Sequence, residues 1–176
     1  MGRPLLWLLA LLALSPAAVS TAARFVPAAL AADAATQTFL ARAHSALKFE
    51  AAAAQLALKK TRNDAVQGFA HQMNLDASAA SMKLRQTIDD AHLPAPRDQL
   101  DAAHKALYDQ LHGTPPGKPF AKAFPDLIDK PLRDDLALFE TYAQEGDDPR
   151  LKYFASEIAP ILKIQLEQLA KLRGVK

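Results

Sequence analysis

Two stretches with apolar residues at helical spacing, parted by one polar turn, leave this chain little choice but a helical hairpin. Over Phe39 to Lys60, a rotation of 100° per residue puts Phe39, Ala43, Ala46, Leu47, Ala54 and Ala57 on one face. Over Val66 to Ala91, a second stripe runs through Val66, Phe69, Ala70, Met73, Ala77, Ala80, Leu84 and Ile88. Asn63 and Asp64 mark the turn between them. Glu50 projects from the middle of the first stripe, a carboxylate where the pattern asks for hydrocarbon.

The second half repeats the design. Gly113-Thr114-Pro115-Pro116-Gly117 is a loop. After it, Pro125 and Pro131 should break Lys118 to Glu145 into a short segment to about Ile128 and a helix from Pro131. That helix turns Leu132, Leu136, Phe139 and Ala143 inward. Asp147 or Asp148 caps the last helix, Pro149 starts it, and Pro160 should bend it. Its core face is Leu151, Phe154, Ala155, Ile158, Leu162, Leu166 and Leu169. Phe49-Glu50 and Phe139-Glu140 each precede a turn with Asp that leads to an apolar residue three before Phe-Ala, an echo of one hairpin in the other. Two such hairpins make an all-α antiparallel four-helix bundle. A short linking helix, capped by Asp98, carries Leu100, Ala103, His104, Leu107 and Leu111 along one stripe.

Three segments precede or fill the domain map. Residues 1–23 read as a signal peptide: Arg3, an apolar run from Leu5 to Leu14, then Pro16 and the small residues Ala18, Ser20, Ala22 and Ala23. The run is about ten residues, half of the roughly 20 that span a bilayer, so cleavage between Ser20 and Ala23 is expected. Residues 24–35 carry no pattern and read as a flexible arm, with Thr36 or Thr38 capping the first helix and the bundle domain at 36–173. The expected location is the periplasm of a bacterial envelope, with no transmembrane helix left after cleavage.

Charge and composition exclude more than they assign. Arg3 is the only charged side chain of residues 1–23, so removing them takes the 21 basic residues to 20 against 19 acidic and the net charge from +2 to +1. Both signs are interspersed, with no basic run and no aromatic–basic platform, which argues against nucleic acid as a partner. The absence of cysteine excludes disulfides, thiolate metal sites and a Cys nucleophile. No Glu is followed three residues later by His, as di-iron bundles require, and no phosphate loop, nucleophile elbow or His-Glu-x-x-His helix occurs. Met73 and Met82 read as packing.

Phe39, Glu50, Leu56-Ala57 and Val66-x-x-Phe69-Ala70-x-x-Met73, followed by Leu138-Phe139-Glu140, Asp147-Asp148-Pro149-x-Leu151-Lys152-x-Phe154-Ala155 and Pro160-x-Leu162, resemble a bacterial envelope family of unknown function, DUF family 4142. The resemblance spans roughly residues 36–172 and implies a ferritin-like four-helix bundle exported to the periplasm. It also implies a glutamate on the first helix and a histidine on each of the other three long helices, a plausible metal site. On this sequence those positions are Glu50, Ala77, Leu132 and Gln165. Every imidazole is missing, so the expected site is a relic without metal or other cofactor.

An unpaired carboxylate in a core must be protonated, hydrogen-bonded or wetted. Gln165, Asn74 and Ser81 are the polar partners expected for Glu50. Three Asp-x-x-His pairs, Asp89/His92, Asp101/His104 and Asp109/His112, have spacing that a metal could use but read as solvated contacts. His44 and His71 read as exposed. The resulting expectation is a non-enzymatic bundle that binds an envelope protein or a small molecule. The alternatives are a ferritin-like metal or redox protein with a site displaced towards Glu50, Glu140 and the linker histidines, and a module tethered by an uncleaved N-terminus.

Overall fold

The computed structural model describes residues 28–174, with side chains from 34 to 173. The expected signal peptide lies outside the described residues. Among the described residues there are five helices and no strand: α1 (Ala28–Lys60), α2 (Asp64–Asp90), α3 (Ala102–Gly113), α4 (Lys118–Glu145) and α5 (Pro149–Gly174). No helix among them is long and apolar enough to cross a membrane.

The apolar stripes become the core. All eight α2 positions and all seven α5 positions named from the spacing are buried. α1 packs most extensively on α2, and α4 on α5; α2 also meets α5, α1 meets α4, and α3 lies against α1 and α4. Because α1 is covered by three neighbours, Ser45, Phe49 and Ala53 are buried as well as its expected stripe. Phe39 stacks on Tyr142 at 3.8 Å between ring centroids and meets Phe139 edge-on at 5.6 Å.

Short polar turns set the helix ends. Asn63 accepts the Val66 amide at 3.0 Å and caps α2, as its position before the stripe predicts. Asp148 accepts the amides of Arg150 and Leu151 at 2.9 and 3.0 Å, ahead of Pro149 at the first position of α5.

Four expectations at the ends and in the middle of helices need correction. α1 begins at Ala28, so residues 28–35 are helical rather than a loose arm. Neither Thr36 nor Thr38 caps it: Thr36 is buried with its hydroxyl 3.0 Å from that of Tyr142, and Thr38 donates back to the Ala34 carbonyl. The cap of α3 is Asp101, which accepts the His104 amide at 2.9 Å, whereas Asp98 instead accepts from Lys48 at 2.5 Å. α4 runs unbroken through Pro125 and Pro131. Both prolines sit on its buried face with Phe120, Phe124, Ile128, Leu132 and Phe139. Burial of about 1.5–3 kcal/mol per large apolar side chain outweighs the roughly 3 kcal/mol that an interior proline costs.

Two smaller readings also change. Met82 is 63% exposed and packs nothing, unlike Met73. In the echoed Phe-Glu pairs, Phe49, Glu50 and Phe139 are buried but Glu140 is exposed.

Candidate functional site

The four positions of the expected relic site come from α1, α2, α4 and α5, and all are buried: Glu50, Ala77 and Leu132 at 1% exposure and Gln165 at 2%. Burial pushes the Glu50 carboxyl well above the usual carboxylate range, the negative charges of Asp135 and Asp76 push it further, and a hydrogen bond from Gln165 opposes them. The folded chain therefore holds the Glu50 proton to higher pH than an exposed glutamate would. One of its oxygens, Oε1, has no hydrogen-bond partner, and neither has Oε1 of Gln165.

Gln165 bridges helices through its other end. Its Nε2 donates to Asp76 Oδ2 at 3.1 Å, while Asp76 Oδ1 accepts from Gln72 within α2. Of the other expected partners, Asn74 is half-buried with an orphan Oδ1, and Ser81 is half-buried; neither is among the groups that act on Glu50.

On the other side of Glu50 lies a polar clasp that sequence reasoning missed as a unit. Asp135 on α4 is buried, and burial raises its carboxyl above the normal range although His104 pulls it down. His104 on α3 is also buried. Its Nδ1 lies 3.0 Å from Asp101 Oδ2 and 2.9 Å from Ser45 Oγ, and its Nε2 lies 3.5 Å from Asp135 Oδ2. The last is an ion-pair distance that leaves Asp135 Oδ2 without a true hydrogen bond. Ser45 Oγ also accepts the Asp101 amide at 2.8 Å, and the Phe49 ring stacks on the imidazole. Burial works against the imidazolium, but Asp135 and then Asp101 outweigh it and raise the His104 pKa above its ordinary value. Asp101 goes the other way: hydrogen bonds and charge from His104 overcome its burial and hold its carboxyl down.

The Asp-x-x-His pairs thus divide. Asp101/His104 pairs a buried imidazole with a partly exposed carboxylate at the edge of the core. Asp109 pairs with Lys105, and His112 stacks on Tyr108. His92 is exposed, with its amide, rather than its ring, bonded to the Asp89 carbonyl. His44 is half-buried and lies 3.2 Å from Asp98, whereas His71 is exposed.

A signal for the clasp was present in the spacing. Asp135 is three residues after Leu132 and four before Phe139, and His104 shares its stripe with Leu111. The spacing pairs His104 only with Asp101, and Asp135 lies on another helix, so neither signal points to the other.

The donor set does not fit a transition metal at the relic positions. Hydrocarbon stands at 77 and 132, an amide at 165, and burial disfavours the ionised form of the one carboxyl. Among the described residues, no three His, Asp or Glu side chains are grouped to hold an ion. Ser45 and His104 likewise form no nucleophilic pair, because the hydroxyl is only 1% exposed and already accepts an amide. Glu140 is exposed and acts on neither Glu50 nor His104, so the displaced site does not assemble.

One family model matches the chain: residues 21–172 fit the model described as Domain of unknown function (DUF4142). No curated protein and no solved structure matches.

Proposed function

The chain belongs to the DUF4142 family, and from that premise we propose an exported envelope protein that works by binding rather than catalysis. Its fold is a ferritin-like antiparallel four-helix bundle. The ring of contacts from α1 to α2 to α5 to α4 and back to α1 supports this, with α3 as the linking helix. Export rests on residues 1–23, and the family match begins at residue 21, within the expected cleavage region. The domain boundaries follow: a signal peptide, then one helical domain up to residue 173.

The observation that carries the non-catalytic reading is Glu50. Its polar neighbours are an amide and two carboxyls instead of three imidazoles, and its own burial favours the protonated form. Such a group neither ligates iron or zinc usefully nor reaches a substrate. It is a repacked polar spot inside a scaffold whose outer surface does the binding.

Two measurements test this. Elemental analysis of untagged protein should find well under one iron, zinc or manganese per chain; a stoichiometric metal would favour the ferritin-like redox alternative. Intact mass from the periplasmic fraction should show a mature start between Thr21 and Arg24. A full-length mass in the membrane fraction would favour a tethered module.

A further inference from the structure

One end of the molecule gathers positive charge from three separate segments. Lys59, Lys60 and Arg62 close α1 and its turn, Lys118 and Lys122 open α4, and Arg173 ends α5. They line two depressions that share Asn63, Lys118 and Ala121 and so form one continuous groove. Its one carboxylate is Asp126, already paired with Arg173 at 2.9 Å. Lys60 is turned to the carbonyls of His112 and Thr114. Lys59, Arg62, Lys118 and Lys122 are exposed and, among the described residues, none has a carboxylate partner. Asp64, exposed at the start of α2, and Asp129, 3.1 Å from Arg173, are further acids at this end.

The opposite end is acidic. α2 finishes in Asp89 and Asp90, α4 in Glu145, and the turn to α5 holds Asp147 and Asp148. Arg42, Lys83, Arg85, Arg150 and Lys152 offset much of that charge. Helix dipoles do not explain the asymmetry, because α2 and α4 begin at the basic pole while α1, α3 and α5 end there, which leaves the negative ends in excess. Side chains set it.

We propose that the basic pole docks end-on against a membrane surface bearing anionic phospholipid headgroups. A rod with a cationic tip and an acidic far end is aligned by a planar negative surface, which attracts the tip and repels the other pole. The cations of the groove are gathered at one end rather than drawn out in a stripe, which suits a planar surface better than a flexible polyanion. The exposed large apolar side chains, Leu75, Met82, Tyr153 and Ile164, lie outside the groove. Attachment is therefore electrostatic and reversible, without insertion. The proposal rests on the envelope reading for where the chain meets such a surface.

The test is cosedimentation of the purified, untagged protein with vesicles of phosphatidylglycerol and phosphatidylcholine, against vesicles of phosphatidylcholine alone. Binding is expected only to the anionic vesicles, and it should vanish when salt rises to about 0.5 M. The triple variant Lys59→Glu, Lys118→Glu, Lys122→Glu should bind at least about tenfold more weakly with unchanged helicity. Arg85→Glu, Arg97→Glu, Lys163→Glu, with the same net charge but a different location, should lose no more than about twofold. No binding to anionic vesicles, or equal losses in both triples, overturns the proposal. Binding to soluble polyphosphate without binding to vesicles also overturns it and assigns the groove to a polymer. Vesicle binding by a chain found only in the cytoplasm would sink the envelope reading and leave the basic pole standing.

Discussion

Gln165 on α5 donates its amide to Asp76 on α2 at 3.1 Å, and its carbonyl oxygen is left in the interior without a donor. Glu50, within reach of the same amide group, has an orphan oxygen of its own. Both are acceptors when Glu50 is ionised. Protonating Glu50 takes a charge out of this interior, which ties the stability of the core to pH.

The pKa of Glu50 is raised in the folded chain, so the folded state holds a proton that the unfolded chain releases near its ordinary value of 4.5. The stability it contributes is complete below that pH and is lost as pH rises towards and through the folded value. Glu50→Gln mimics the neutral acid and should flatten this slope. At pH 8–9 the variant should be more stable than wild type by on the order of 2 kcal/mol in urea melts. Glu50→Leu should change stability by less than about 2 kcal/mol; a loss of several would show that the acid is needed where it lies.

His104 works with the opposite charge but the same pH sense. Its folded pKa is raised, so its contribution is fully present below the ordinary value of 6.5 and fades as pH rises through the folded value. His104→Leu should cost about 3 kcal/mol at pH 6, because Asp135 is left buried without its counter-charge, and clearly less at pH 9. Making the comparison in a Glu50→Gln background removes the slope due to Glu50. A cost that does not vary with pH would mean that the imidazole acts only by packing against Phe49.

Restoring imidazoles tests the relic reading directly. The triple variant Ala77→His, Leu132→His, Gln165→His, once shown to be folded by circular dichroism, should take up close to one zinc or iron per chain, measured by elemental analysis and competition with a chelator. A folded triple variant that takes up no more metal than wild type would show that these positions do not surround Glu50.

Asn63→Ala removes the cap of α2 and should cost about 1 kcal/mol, whereas Asn63→Asp should cost little. Equal losses in thermal melts would mean that the turn is held by Thr61 and Gln67, which bond to the same loop.

The fold was legible wherever burial follows one stripe, as in α2 and α5. It was less legible where tertiary packing overrides a local rule: the prolines of α4 lie on its buried face, and Thr36 serves Tyr142 rather than a helix end. Glu50 announced itself as a charge in an apolar stripe. Asp135 and His104 are equally out of place on their own stripes, but they lie on different helices and only the packing of α3 on α4 pairs them. The basic pole was hidden for the same reason, since its cations are spread over three segments of an evenly charged sequence.

α3 is pinned to α1 at two heights: near Ser45 through Asp101 and His104, and near Lys60 through His112, Thr114 and Gly117. It behaves as a splint cut to length. One inserted residue would swing its lower fastening by about 100° and slide it by about 1.5 Å, so both fastenings could not close together. Evolution can therefore repaint this strut freely on its wet side, but lengthening or shortening it would unbuckle the crossover between the two hairpins.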